Sequence, residues 1–230
     1  MRVQATATSF ASMKRFTNTF RTVTSAVALA ALGVSATIAV APAPAVAQSE
    51  SGKLDEVVGA LRAISTLKAD FTQTDRSGQR VSGVLTMKQP GRIRFQYEES
   101  VPMLIVGDGS SLTLIDYEVN QVQRWPIKNS PLGALLDPRR DVAKYGTLRP
   151  TGNPNVISVE VRDRKHPEYG VITLIFIRDG SAPGGLRLAS WVALDSQNKR
   201  TTIKLSNHRY GVSVPNSTFR WKDPRPRVRR

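Results

Sequence analysis

The sequence predicts a mainly β fold: a strongly curved antiparallel sheet or barrel of about eleven strands, with helices at only two places. Two observations predict it. Short alternating runs recur at regular spacing, punctuated by Gly152, Asn153, Gly170, Asp179-Gly180 and Pro183-Gly184-Gly185; such spacing is the mark of hairpin succession. The stretch from Ala69 to Glu99 reads by itself as three strands joined by two turns. No internal repeat is present.

Residues 1–47 read as an export leader. They hold Arg2, Lys14, Arg15 and Arg21 and no acidic residue, then an apolar run from Val23 to Val40, then Ala-Pro repeats ending in Ala45-Val46-Ala47. This is the layout of a secretory signal peptide cut near Ala47. The run approaches the ~20 residues of a transmembrane anchor. Its Ala and Thr content is weakly hydrophobic, and the small residues at its exit favour cleavage. The expected organisation is a leader at 1–47, one domain at 48–221, and a basic tail at 222–230.

Composition narrows the function. Without the leader, 183 residues carry 29 basic and 18 acidic side chains, a net charge of +11. That balance calls for anionic partners. Nucleic acid is the usual partner of a basic chain, but export argues against it and leaves anionic lipid or an acidic protein surface. There is no cysteine, which excludes thiol catalysis, zinc–thiolate sites and a lipid-modified cysteine at the cleavage site.

The first helix is expected from Ser51 to Lys68. Leu54, Val57, Val58, Leu61, Ile64 and Leu67 form one apolar stripe, and Ser51 suits an N-cap. Strands follow at Phe71–Thr74, Val81–Lys88 and Arg92–Tyr97. Between the last two, Pro90 and Gly91 fit the second and third positions of a type II turn. In Arg92–Tyr97, Ile93, Phe95 and Tyr97 make an oily face, while Arg92, Arg94 and Gln96 make a basic, wet one.

Leu104–Val106 and Leu112–Asp116 form a hairpin through Asp108-Gly109, and Val119–Trp125 is the next strand. Leu112 and Leu114 share one face, with Ile115 on the other, so this strand is expected to be buried on both sides. Ser130-Pro131 then caps a short helix with Leu132, Leu135 and Leu136 on one face, stopped by Asp137-Pro138. From the residues alone this helix is a connector that fills one end of a barrel. Strands return at Val156–Val161, Val171–Ile177, Leu186–Leu194 and Thr201–Ser206, with Trp191 on the second face of its strand. Phe219 and Trp221 close the fold, and the proline-rich basic tail is expected to be extended.

Catalytic patterns are lacking. His166 and His208 sit in no metal-ligand spacing, the acidic residues are scattered in turns, and there is neither a G-x-S-x-G elbow nor a phosphate-binding loop. A binding protein without cofactor or metal, and not an enzyme, is expected.

The ordered series Ala69-Asp70-Phe71-Thr72-Gln73, Gly83, Met87-Lys88-Gln89-Pro90-Gly91-Arg92-Ile93-Arg94-Phe95-Gln96-Tyr97 and Val106-Gly107-Asp108-Gly109 resembles the LolA-like periplasmic lipoprotein carrier family. The likeness runs from about Leu54 to Phe219. It implies an incomplete antiparallel β-barrel, or half-barrel, with an N-terminal helix and a short helical lid. It also implies a hydrophobic cavity for acyl chains, lined here by Ile93, Phe95, Tyr97, Leu112 and Leu114 and by the lid residues Leu132, Leu135 and Leu136. The implied partners are acylated lipoproteins, an ATP-driven ABC-type release complex of the inner membrane, and an outer-membrane acceptor or anionic lipid surface. A monomer in the periplasm is expected. Many members carry arginine before the proline of the Lys-x-Pro turn, where it latches the lid. Here the residue is Gln89, whose bonds carry no charge, and Arg92 or Arg94 stand nearby as substitutes. A sensor or regulator built on the same half-barrel, and a glycolipid-binding module without transport, are the rival functions.

Overall fold

A computed structural model describes residues 45–128, 130–137, 139–140 and 142–226. Residues 1–44, most of the leader expected at 1–47, and residues 227–230 of the expected tail lie outside the described residues.

Helix α1 (Ala45–Ala63) precedes eleven strands: β1 (Thr66–Thr74), β2 (Arg80–Lys88), β3 (Arg92–Tyr97), β4 (Met103–Asp108), β5 (Ser111–Asp116), β6 (Gln121–Pro126), β7 (Gly146–Arg149), β8 (Val156–Arg162), β9 (Val171–Arg178), β10 (Leu186–Leu194) and β11 (Arg200–Tyr210). A second short helix, α2 (Pro131–Leu136), lies between β6 and β7. All eleven strands form one open antiparallel sheet in the order β6-β5-β4-β3-β2-β1-β11-β10-β9-β8-β7. Each neighbouring pair but one is consecutive in sequence. The exception is β1–β11, where Phe71 faces Leu205 and Thr74 faces Thr202. That ladder joins two meanders, and β6 and β7 remain as edges with α2 passing between them.

Four expectations are corrected. The helix ends at Ala63, and β1 begins at Thr66. Leu67 fits the helical stripe but also alternates with Ala69 and Phe71, and all three are fully buried on one face of β1. The expected N-cap Ser51 is interior to α1, which starts at Ala45. The short edge strand β7 has no counterpart among the expected strand ranges; its single large apolar side chain, Leu148, gives little pattern to read. The turn before β3 is a three-residue loop that sets Lys88 opposite Arg92, with Gln89–Pro90 cis and Gly91 at φ 75°.

A fifth correction concerns the basic face of β3. It is not simply wet. The C-terminal segment crosses it, and Phe219 and Trp221 pack on Leu104, Val106 and Ile115. The Arg94 guanidinium donates to the carbonyls of Thr218 and Arg220, both at 3.1 Å, and Lys88 Nζ donates to Val214 O at 2.7 Å. These two cations fasten the segment that covers the outer apolar patch of β4 and β5.

Candidate functional site

The inner faces of the strands enclose a cavity of about 140 Å³. It is bounded by α1 through Leu61, by strands of both meanders, and by α2. Of its twenty-one lining side chains, only Gln73 and Thr201 are polar aliphatic ones; the rest are apolar or aromatic.

The aromatic wall begins at Phe71, Gly83 and Tyr97, which are register neighbours on β1, β2 and β3. A Cβ on Gly83 would stand 2.8 Å from the Phe71 ring and 2.1 Å from Gln96 O. Glycine there lets Phe71 and Tyr97 meet edge-on at 5.2 Å, while Phe71 and Phe95 meet at 5.3 Å. Phe95 in turn meets Trp191 of β10 edge-on at 6.0 Å, so the wall joins the two meanders. Edge-to-face geometry is the favoured one for such pairs. Burial pushes the Tyr97 phenol well above its usual range. Tyr97 therefore stays protonated and donates to Gln73 Oε1 at 2.8 Å, which occupies part of one of the few polar groups at the cavity.

Helix α2 covers the cavity. Ser130 caps it, accepting from Gly133 N at 3.2 Å and donating to Ile127 O at 2.7 Å. The helix rests so closely on the preceding chain that a Cβ on Gly133 would lie 2.0 Å from Ile127 O. At its far end Asp137 pairs with Arg139 at 2.8 Å and with Arg140 at 3.5 Å, and Arg140 also donates to Lys128 O. The Arg139 hydrogen bond holds the Asp137 carboxyl below the usual carboxylate range. The turn before β3 holds this helix through its backbone: Gly91 N donates to Leu136 O at 2.8 Å.

The structure places Ile93, Phe95, Tyr97, Leu112, Leu114, Leu132, Leu135 and Leu136 around this one cavity. It does not gather the latch candidates. Gln89 Nε2 donates to Leu61 O in the last turn of α1, at 2.6 Å. Arg94 is engaged on the outer face as described, and Arg92 is half-buried at the start of β3. Sequence reasoning missed Trp191. A register shift between Leu188 and Ser190 reverses the alternation, so that Leu188, Trp191 and Ala193 all line the cavity. Bulges leave no reliable mark in the hydrophobic pattern.

A family model described as Outer membrane lipoprotein carrier protein LolA matches residues 62–222. An outer-membrane lipoprotein carrier protein of Dechloromonas aromatica (strain RCB) is 29% identical over 186 residues, covering 76% of this chain and 86% of its own. A protein of the same description from Chromobacterium violaceum is 27% identical over 186 residues, covering 78% of this chain and 87% of its own. Among solved structures, a LolA superfamily protein from Nitrosomonas europaea is 10% identical at a TM-score of 0.43, covering 75% of this chain and 97% of its own.

Proposed function

The chain belongs to the outer membrane lipoprotein carrier (LolA) family, and from that premise we propose that it is a periplasmic carrier of acylated lipoproteins. It takes them, as a monomer, from an ATP-driven ABC-type release complex in the inner membrane and passes them to the outer membrane. Ile93, Phe95, Tyr97, Leu112, Leu114, Leu132, Leu135 and Leu136 hold the acyl chains, together with Trp191. The observation that carries this reading is the cavity's lining: almost wholly apolar, built from both meanders, and covered by a single six-residue helix.

Physical chemistry constrains the cycle. Burying an acyl chain is worth about 0.8 kcal/mol per CH₂. Several ordinary chains would exceed the roughly 18–21 kcal/mol ceiling on non-covalent affinity. Loading is therefore driven by an energy-using partner, and release needs an acceptor or membrane that holds the chains more firmly. The cavity of about 140 Å³ is also smaller than the ~300–1,000 Å³ of ordinary ligand pockets. Helix α2 has to swing away for chains to enter. The turn at Gln89–Arg92 acts as the latch, through Gly91 N rather than through a side chain.

The test is transfer. Inner-membrane vesicles containing the release complex and a labelled lipoprotein are given ATP and the purified protein. ATP-dependent appearance of the label in a soluble complex with the wild type is the expected result. Ile93→Glu, which sets a carboxylate among the acyl chains, abolishes it. No soluble complex with the wild type, or undiminished loading by folded Ile93→Glu, overturns the proposal.

A further inference from the structure

The lining of the cavity is apolar except at one corner. Gln73 and Thr201 supply its polar aliphatic side chains. They are neighbours on the inner face of β1 and β11, because Gln73 pairs with Ile203, two residues along from Thr201. At about 3.3 Å per strand residue, ~20 Å of β1 separates Gln73 from Leu67. Leu67 pairs with Met87, and there the lining is Met87, Ile93, Leu61 and Leu136. The hollow thus has one polar corner and one apolar end.

Tyr97 orients the Gln73 carboxamide. Its side chain is buried, and burial keeps the phenol protonated, so the hydroxyl has a proton to donate. The acceptor that meets it is Gln73 Oε1, at 2.8 Å. That contact gives the amide oxygen to the phenol and turns Nε2 away from it. Nε2 donates to no protein group among the described residues. It is not sealed in either: Tyr210 Oη is the one fully buried, unpartnered side-chain polar atom among them. A donor of fixed direction and without a protein partner therefore borders the hollow.

Such a donor is satisfied while water fills the corner. An acyl chain that expels the water leaves Nε2 unpaired unless the chain brings an acceptor, and its hydrocarbon part has none. The carbonyl is the acceptor that every ester- or amide-linked acyl chain carries. We propose that Gln73 is the polar anchor of the cavity, donating from Nε2 to the ester or amide carbonyl of a bound acyl chain. This rests on the carrier reading and deepens it. Ile93 and its neighbours hold chains by the area they bury, and Gln73 selects acyl groups over bare hydrocarbon. A few placed polar groups in an otherwise apolar pocket are what supply specificity.

The test is displacement of a fluorescent fatty acid from the full chain by two competitors, methyl palmitate and hexadecyl methyl ether. Both carry a long hydrocarbon, and only the ester carries a carbonyl. The readout is the ether inhibition constant divided by the ester one, a ratio in which general changes to the cavity cancel. A neutral hydrogen bond is worth about fivefold, so Gln73→Leu lowers the ratio about fivefold. Leucine leaves the Tyr97 phenol unpaired. Gln73→Leu combined with Tyr97→Phe removes both partners at once, which spares the fold, and its ratio falls equally. Tyr97→Phe alone keeps the donor but frees its direction, and loses less. A ratio unmoved by Gln73→Leu and by the double variant overturns the anchor and leaves Gln73 as support for the phenol. So does a greater loss in Tyr97→Phe than in Gln73→Leu, which gives the carbonyl to the phenol. A wild type from which neither competitor displaces the probe refutes the carrier reading together with the anchor. Displacement by both, at a ratio that no variant moves, refutes the anchor alone.

Discussion

The two faces of β4 and β5 differ in what covers them. Both are apolar. On the convex face Leu104, Val106 and Ile115 are buried under Phe219 and Trp221, and that segment is pinned by Arg94 and Lys88. On the concave face Ile93, Phe95, Leu112 and Leu114 meet a hollow, covered by α2. One face is closed by chain that is fastened with charged hydrogen bonds. The other is closed by a helix of six residues whose tie to the turn before β3 is one backbone hydrogen bond. Alternation alone does not separate the two: one face is packed under distant chain, and the other borders a hollow under a short helix.

The largest test of this contrast changes two adjacent residues. Ile93→Glu sets a carboxylate in the cavity and abolishes acyl binding. Arg94→Glu removes two charge-assisted hydrogen bonds of about 1.5–3 kcal/mol each and repels nothing inside the cavity; partial exposure of the site halves that cost. It lowers stability in urea and leaves fatty-acid displacement unchanged. Loss of ligand binding in a folded Arg94→Glu protein would show that the faces are coupled.

Next come the two aromatic closures. Phe219→Ala opens a gap in a filled but half-exposed contact, and should cost roughly 1–2 kcal/mol, below the ~3–5 of a fully buried site. Trp191→Ala enlarges a hollow that already exists. It should change which chain lengths are held more than it changes the unfolding midpoint. A chain-length series read by displacement, beside urea curves, separates the two.

Gln89→Arg examines the turn. With the side chain directed at Leu61 O, the arginine adds a cation at the C-terminus of α1, worth about 0.3–1 kcal/mol. Stability rises by that amount, and transfer of labelled lipoprotein to outer-membrane vesicles keeps its rate. Slower transfer would mean that the guanidinium has reached the lid carbonyls.

Smaller still is the effect of acid on α2. The Asp137 carboxyl is held below its usual range by Arg139. Its contribution is therefore complete above the unfolded carboxylate pKa near ~4 and fades as pH falls through the lower folded value. Asp137→Asn should loosen α2 at neutral pH, seen as faster hydrogen exchange of the Gly91 and Gly133 amides, and should abolish the added loosening in acid. The smallest change is expected from removing residues 222–230. The fold stays intact, because Trp221 is retained, and salt-sensitive vesicle binding falls only modestly, since Arg225 already pairs with Asp223 at 2.6 Å. Loss of most of the vesicle binding would instead make the tail the main lipid contact.

Much of this protein is local and can be read from the chain. Period-2 alternation placed β3 at Arg92–Tyr97 with its correct inner face, and the Ser130-Pro131 start fixed α2. Neighbouring strands in hairpin succession need no long-range information, and that accounts for nearly the whole sheet order. The eight residues expected at the cavity followed from alternation combined with family likeness, since each strand exposes every second side chain to one face.

What the tertiary structure alone decided is non-local. Leu67 obeys both periods, and only its ladder to Tyr210 and Met87 makes it strand. The bulge before Ser190 turns Trp191 inward, by a register that depends on Phe176 and Ile175 of the neighbouring strand. Gln89 bonds a carbonyl twenty-eight residues earlier rather than the lid. Above all, alternation states that a face is apolar and not what covers it. Phe219 and Trp221 reach the convex face from more than a hundred residues away, and the concave face surrounds a hollow lined by side chains of both meanders, α1 and α2. Packing against distant chain, which no local pattern encodes, separates a core from a cavity.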